Sequence, residues 1–407
     1  MMFIEQLERN IASKRGEISR WIEFHCEKVM VPLYSSVDLR FSEHKIAPID
    51  TNVFPAGFNN LSARFRKNAG KLFREYLFSR YPSAEKILLV PELNTKNAYY
   101  WENVWVIKSV LEDEGYEVCV GIANEEFRRE TVSFSSASGQ VIEAKRVFQE
   151  GGSAVIDGFV PDIVMINNDF SEKCPKTLHN LRQPVLPPVE IGWHARKKDV
   201  HFEFYNRLCS ELADILEVDP WMMSVETVLE TGVDFDFPED RERVSQRAGE
   251  IFSRVRDEYS KRDIDHEPSL FVKSNSGTYG MAVASVSDPQ SLVEMNSRDR
   301  KRMRVSKGGV PVRDVVIQEG VPTSLRVGDG LVGEPVVYLV QSQVAGMFYR
   351  VNPLRGESEN LNSKGMEFLQ CDDSFANGIP PAFDLVSKVA TIAAGYEIEK
   401  VLRDVDC

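Results

Sequence analysis

A lysine on an apolar strand followed by a glycine-rich turn is one way for a chain to grip a polyphosphate, and Leu270 to Met281, LFVKSNSGTYGM, has that order. The strand fixes the backbone, and Lys273 puts a point charge toward phosphate oxygens. Gly277 and Gly280 let backbone N–H groups approach an anion with no Cβ in the way, and Ser276 and Thr278 stand in the same turn. The pattern GxxxxGK[ST] occurs nowhere in the chain, so this is not a P-loop lysine. Because a glycine-rich turn after a strand is most often only a turn, the segments that follow carry the argument. VVIQEGVP (Val315 to Pro322) and EPVVYLV (Glu334 to Val340) read as buried strands. They precede GMFYRVN (Gly346 to Asn352) and a loop, ENLNSKGMEF (Glu359 to Phe368).

A second group of chemistry-bearing residues lies far upstream, in SVDLRFSEHKIAPIDTNVFPAGFN (Ser36 to Asn59). Side chains at i and i+2 of a strand share a face, so Asp50 and Asn52 can offer oxygens to one ion, with Asp38 joining from the neighbouring strand. Hard oxygen ligands of this kind suit magnesium. The same residues also read as a strand end and turn, since Asp, Asn, Pro and Gly are turn formers.

The order of these segments resembles the ATP-grasp ligases. The resemblance implies that Lys273 binds phosphate together with Ser276, Gly277 and Thr278, that Gln318, Glu319 and Val321 form the adenine hinge, and that Arg350 and Asn362 face the transferred phosphoryl group. The acid and acid-x-Asn pair that this fold places near its C-terminus is missing there, where DLVSKVATIAAGYEIEKVL reads as one helix. Asp38 and Asp50-Thr51-Asn52 supply it at the other end, a permuted order similar to that of eukaryotic glutathione synthetases. Taken together, IDTNVFPAGFNNLSARF, GWHARKKDVHFEFYN, VKSNSGTYGM, GMFYRVN and ENLNSKGMEF look like the glutamate-cysteine ligases of the ferrooxidans type over nearly the full chain. The resemblance implies that ATP phosphorylates the γ-carboxylate of glutamate and that the cysteine amine then displaces phosphate. A glutathione synthetase or another ligase of the same fold would share the ATP and magnesium residues. In the eukaryotic synthetases the lid strand bears a further acidic metal ligand, where this chain has Ser274-Asn275-Ser276-Gly277, so the completeness of the Asp38, Asp50 and Asn52 set stays open.

The elements that must position these residues follow from periodicity. Residues 1–80 are expected to give an amphipathic helix, the metal-binding strand pair and a helix from Asn60 to Phe78. Residues 81–265 are expected to form a doubly wound, Rossmann-like substrate domain with following helices, its strands being KILLVPEL, YEVCVGI and VPDIVMINND. A hairpin-like insertion, TVSFSSASGQVIEAKRVF, lies between the last two. Residues 266–407 are expected to carry the lid, hinge and core. The fold class is therefore α/β. Ligands bind at the carboxyl ends of parallel strands, which makes Glu92, Asn94, Asn167 and Asn168 candidates for amino-acid substrate contacts, beside the simpler reading that they cap or are solvated.

Composition sets outer limits. The 407 residues are 43% hydrophobic and 27% charged, as in a soluble globular protein. The net charge of −13 argues against nucleic acid or an anionic membrane as partner; the small-molecule partners that the resemblance implies are ATP, glutamate and cysteine, and self-association stays open. Six scattered cysteines without CxxC spacing suggest neither zinc nor disulfides, and the absence of a long apolar run points to the cytoplasm. Gly328 to Gly333 spells GxGxxG but precedes a strand instead of opening a helix, so a dehydrogenase reading fails its context. Lys197 and Lys198 stand at a helix start, which is unfavourable for structure alone. His194 and His201 lack a third metal ligand. The basic run SRDRKRMRVSK, with Arg304 and Lys307, reads as a solvated or phosphate-steering face.

Overall fold

The computed structural model describes residues 2–93, 95–170, 174–277, 282–305, 309, 311–371 and 379–405. Its centre is an antiparallel sheet in which the strands run Glu367–Gln370, Gln343–Val351, Leu331–Val340, Tyr34–Phe41, Ile46–Asn52. The chain's first strand pair thus completes a sheet whose other strands come from the last fifth of the sequence. Val37, Leu39, Val337, Leu339, Met347 and Tyr349 turn one face toward the helices Met2–Ser13, Lys198–Leu216 and Pro381–Val405, forming the main apolar core. On the opposite face Tyr34, Val336, Tyr338 and Phe348 pack against the helix Ala63–Arg80, with Phe58 and Phe73 between.

The second sheet runs Val185–Leu186, Ile163–Asn167, Lys86–Pro91, Glu117–Ile122, Val141–Arg146, Thr131–Ser135. Its first five strands are parallel neighbours. The expected insertion is a true hairpin, Thr131–Ser135 on Val141–Arg146, whose second strand continues the parallel sheet. Trp101, in the helix Ala98–Asp113, stacks on Phe134 of this hairpin at 3.6 Å and is core.

The third sheet is antiparallel, ordered Thr227–Glu230, Val315–Glu319, Leu270–Ser274, Val283–Val286. Leu270 and Val272 face the helix Pro238–Lys261, which begins at its proline with Glu239 and Asp240 in the first turn. Phe271 and Lys273 necessarily point the other way. The GxGxxG stretch is the turn of a hairpin between Arg326–Val327 and Leu331–Val340, with Gly328 and Gly330 at φ 53° and 84°. Among the described residues no helix is long and apolar enough to cross a membrane.

Candidate active site

The charged site grows out of one face of the central sheet. Asp38 lies directly opposite Asp50 across the strand pair, and Ser36 opposite Asn52, so all four share a face. On the other flank Asp38 faces Val336, and two residues along that strand Glu334 faces Arg350. The face is apolar where Val336, Tyr338 and Phe348 meet the Ala63–Arg80 helix. It is charged where Asp38, Glu334, Arg350 and Arg40 meet.

Ion pairs knit this charged end. Arg350 donates from Nη1 to Asp38 at 2.7 Å and to Glu334 at 3.2 Å. Glu334, 1% exposed, also pairs with the buried Arg40, whose other nitrogens donate to the carbonyls of Glu357 and Glu359 at 2.6 Å each. Two acids flanking one guanidinium push Arg350 above its already high value, although burial alone would lower it. For Asp38 burial prevails, and its carboxyl is raised despite Arg350. Asp50 behaves oppositely. Burial would raise it, yet Lys198, whose Nζ lies 2.6 Å from Oδ1, holds it below the usual carboxylate range with help from Lys273 and Arg196.

Lys273 approaches the same space from the third sheet. A bulge between the Asp38–Asp50 and Leu39–Pro48 pairings leaves Ile49 as the extra residue. Its carbonyl accepts from Lys273 Nζ at 3.0 Å, and Gln318 Oε1 accepts at 2.7 Å. Burial pushes the lysine down to about 8, with Asp50 working against the shift and Lys198 and Arg40 adding to it. The segment Arg196-Lys197-Lys198 leads into the Lys198–Leu216 helix. It is clamped to the glycine-rich strand end by Lys198 N–H to the Asn275 carbonyl (2.9 Å), Asp199 N–H to Asn275 Oδ1 (3.0 Å) and Lys197 Nζ to Ser276 Oγ (2.7 Å).

These groups converge. Asp38, Arg40, Asp50, Lys198, Phe271, Lys273, Gly277, Arg350, Asn360 and Asn362 line one cleft of about 580 Å³, a volume that includes space open to solvent. Of the sequence-derived candidates, the structure therefore brings together Asp38, Asp50, Lys273, Gly277, Arg350 and Asn362. Asn52 stands on the same sheet face, one pleat beyond the lining residues. Thr278 and Asn94 lie outside the described residues, as does Lys307.

The remaining candidates sit elsewhere. Gln318 is buried behind Lys273 and donates to Thr227 Oγ1 at 3.0 Å. Glu319 is buried in an ion pair with Lys45 and accepts from the Glu226 amide at 3.1 Å, while the Val321 side chain belongs to the main core. Glu92 takes its amide to Tyr100 Oη at 2.8 Å. Asn167 is 2% exposed and spends its side chain within the protein. It donates to Tyr34 Oη (3.0 Å) and the Pro55 carbonyl (2.9 Å), and accepts from Asn103 (3.0 Å). Asn168 accepts from the Phe170 amide at 3.0 Å. The two histidines do not converge, His194 bonding the Phe170 carbonyl and His201 lying beside Glu397.

Glu334, which pairs with Arg350, and Arg40, which lines the cleft, had no local sequence signal as site residues. Lys198 did, through the cost of placing lysines at a helix N-terminus.

As for a metal, among the described residues no three His, Cys, Asp or Glu side chains form a ligand cluster. Two carboxylates facing each other across a strand pair, with an amide on the same face, nonetheless fit magnesium. That ion uses one or two protein carboxylates and takes its other ligands from water and substrate phosphates.

The family model for glutamate-cysteine ligase (GshA) matches residues 8–398. The chain belongs to the glutamate-cysteine ligase family. Its members are ligases that form C–N bonds, and the match places this enzyme in glutathione biosynthesis. The solved structure of a putative gamma-glutamylcysteine synthetase from Methylobacillus flagellatus KT is 31% identical, covers 98% of this chain and 96% of its own, and superposes at a TM-score of 0.87. Two more distant structures are a D-alanyl-alanine synthetase A from Vibrio cholerae (10% identity, 77% and 82% coverage, TM-score 0.38) and a glutathione synthetase-like effector from Globodera pallida (11%, 91% and 82%, 0.39). Those two are too remote to carry an argument about this ligase. No sequence match was found among curated proteins.

Proposed function

We propose that this ligase joins the γ-carboxylate of L-glutamate to the amine of L-cysteine at the expense of ATP, through an acyl phosphate, and that the cleft between the central and third sheets is where the phosphates lie. The observation that carries the reading is the convergence of Lys273, Lys198 and Arg350 with Asp38 and Asp50 on one cleft, from segments far apart in the chain.

A carboxylate does not accept an amine at neutral pH, because the leaving group would be oxide. A carboxylate oxygen of glutamate first attacks the γ-phosphorus and ADP departs. The amine nitrogen of cysteine then adds to the acyl carbon, inorganic phosphate leaves, and the nitrogen loses a proton. Phosphoryl transfer of this kind is catalysed by positioning and charge neutralisation. Arg350 supplies a planar fork that stays charged throughout. Its two acids hold it rigidly, so little reorganisation is needed when charge develops on the transferred group. Lys273 and Lys198 supply two more cations, and Gly277 leaves room for a phosphate against the backbone. Asp38 and Asp50 would hold magnesium, which when bound neutralises phosphate charge. On the same reading Lys198, which pairs with Asp50 in the free protein, would turn to a phosphate oxygen once that carboxylate holds the ion, while Arg350 would keep its pair with Glu334. Cys26, Cys119, Cys174 and Cys209 are free thiols, in keeping with a reducing, cytoplasmic setting.

The test is magnesium- and ATP-dependent phosphate release with each amino acid alone and in pairs, with the product weighed by mass spectrometry. Release that requires glutamate plus cysteine and yields γ-glutamylcysteine is the expected result. Release that requires γ-glutamylcysteine plus glycine would move the enzyme to the second step of the same chemistry. No turnover with any pair would leave a nucleotide-binding protein without ligase activity.

A further inference from the structure

The C-terminal helix Pro381–Val405 contributes no side chain to the cleft, yet it buries one carboxylate completely. Glu397 is 0% exposed. Its Oε2 pairs with Arg196 Nη2 at 2.7 Å and lies 3.5 Å from His201 Nδ1, while Oε1 accepts the Lys197 amide at 3.1 Å. Arg196, 2% exposed, sends its other terminal nitrogen to the carbonyl of Thr51 at 3.2 Å. The cluster thus ties the C-terminal helix to two segments, residues 196–201 around Lys198 and the residue just after Asp50.

A buried ion pair is weak evidence for stability, since the cost of desolvation commonly cancels the attraction and apolar residues would fill the space as well. Such a pair defines position. Here the two segments it joins deliver the two halves of the Lys198–Asp50 pair in the cleft. Through Lys197, whose Nζ bonds Ser276 Oγ, the hold extends to the glycine-rich turn.

We propose that Glu397 is a positioning residue for nucleotide binding: through Arg196 and the Lys197 amide it sets the separation of Lys198 from Asp50, and so the place where phosphate and its counter-ion are received. This rests on the reading that Lys198 faces the phosphates.

The experiment is calorimetric titration of the full-length protein with a non-hydrolysable ATP analogue and magnesium. Glu397→Gln raises Kd about tenfold, the low end of what losing an outer-shell partner costs. The same change in a Lys198→Met background raises it less than about twofold, because the group it acts through is gone. Arg196→Met/Glu397→Gln, which leaves no uncompensated buried charge, keeps the thermal stability of the parent and shows the same loss of affinity. Equal losses from Glu397→Gln in both backgrounds, or parental affinity in the double variant, would overturn the proposal. If Lys273→Met weakens binding and Lys198→Met does not, the positioning role falls alone. If neither weakens it, the phosphate site itself is misplaced.

Discussion

The central sheet's charged face and the carboxyl ends of the parallel sheet both gather polar side chains, but they use them in opposite ways. At the charged face Arg350, Lys198 and Lys273 are paired with groups that phosphate and metal could replace. Asp38 and Asp50 are held by those cations, and all five line a cleft. At the parallel sheet Asn167 is saturated by Tyr34, Pro55 and Asn103 and is 2% exposed. On the proposed reading the first arrangement is exchangeable, whereas the Asn167 side chain is already satisfied within the protein. Strand-end polarity in a parallel sheet therefore says little about ligands until each hydrogen bond is accounted for. Asn167 works as a bracket between that sheet and the loop leading from Asn52.

The sharpest test of this contrast is to remove one group from each side. Arg350→Met should lower kcat by about a hundred- to a thousandfold, as loss of a preorganised donor does. Its thermal midpoint should hold better than the buried ion pairs suggest, because Asp38 can be protonated once its counter-charge is gone. Asn167→Ala should do the reverse. It strands the Asn103 amide nitrogen and the Pro55 carbonyl, while Tyr34 keeps its bond to the Ile166 carbonyl, which should cost about 2–3 kcal/mol in denaturant unfolding, with unchanged KM for both amino acids in the protein that folds. A raised KM for glutamate or cysteine with full stability would show that the parallel sheet's polar ends are open after all.

A third change probes the seam between the two regions. Gly346 lies opposite Tyr338 on the central sheet, and a Cβ there would come within 2.4 Å of the Phe65 Cβ on the Ala63–Arg80 helix. Gly346→Ala should cost about 1–3 kcal/mol by overpacking, read as a lower unfolding midpoint, while nucleotide affinity stays at the parental value. Loss of affinity without loss of stability would mean that the apolar half of the face also shapes the site.

Much of this was legible in the chain, and the exceptions have a common cause. The Lys273 strand and its glycines, the Asp50-x-Asn52 alternation and the Pro238–Lys261 helix are local signals, read from spacing alone. Glu334 was not, although its strand was evident. Counting back along the hairpin from the Val340–Gln343 pair would set Glu334 against Tyr349, on the wrong face. A bulge between Tyr338 and Leu339 shifts the register by one and brings it to Arg350. Arg40, Lys45 and Glu397 find their partners far along the sequence, where no short window can see them. The Asn167 side chain looked available because sequence shows a polar residue but not what already satisfies it.

The smallest effect isolates the exchangeable region by its charge. Lys273 titrates near 8 because burial opposes its charged form, whereas Asn167 does not titrate at all. In the free protein the lysine is cationic below that value and neutral above it, so a pH one unit higher leaves about a tenth of it charged. Nucleotide affinity should therefore weaken by up to about tenfold between pH 7 and 9. Binding at the upper end should take up a proton, seen as a dependence of the calorimetric heat on buffer ionisation enthalpy. Stability moves the other way. The folded value lies below the unfolded one of 10.5, so between about 8 and 10.5 the unfolded chain binds more protons and the fold gains stability as pH rises. Lys273→Met should remove both slopes, and Asn167→Ala should leave both intact. An affinity that is flat from pH 7 to 9 in the parent would mean that Lys273 keeps its charge through its neighbours or does not meet the phosphates, and a Lys273→Met variant that also binds normally would decide for the second.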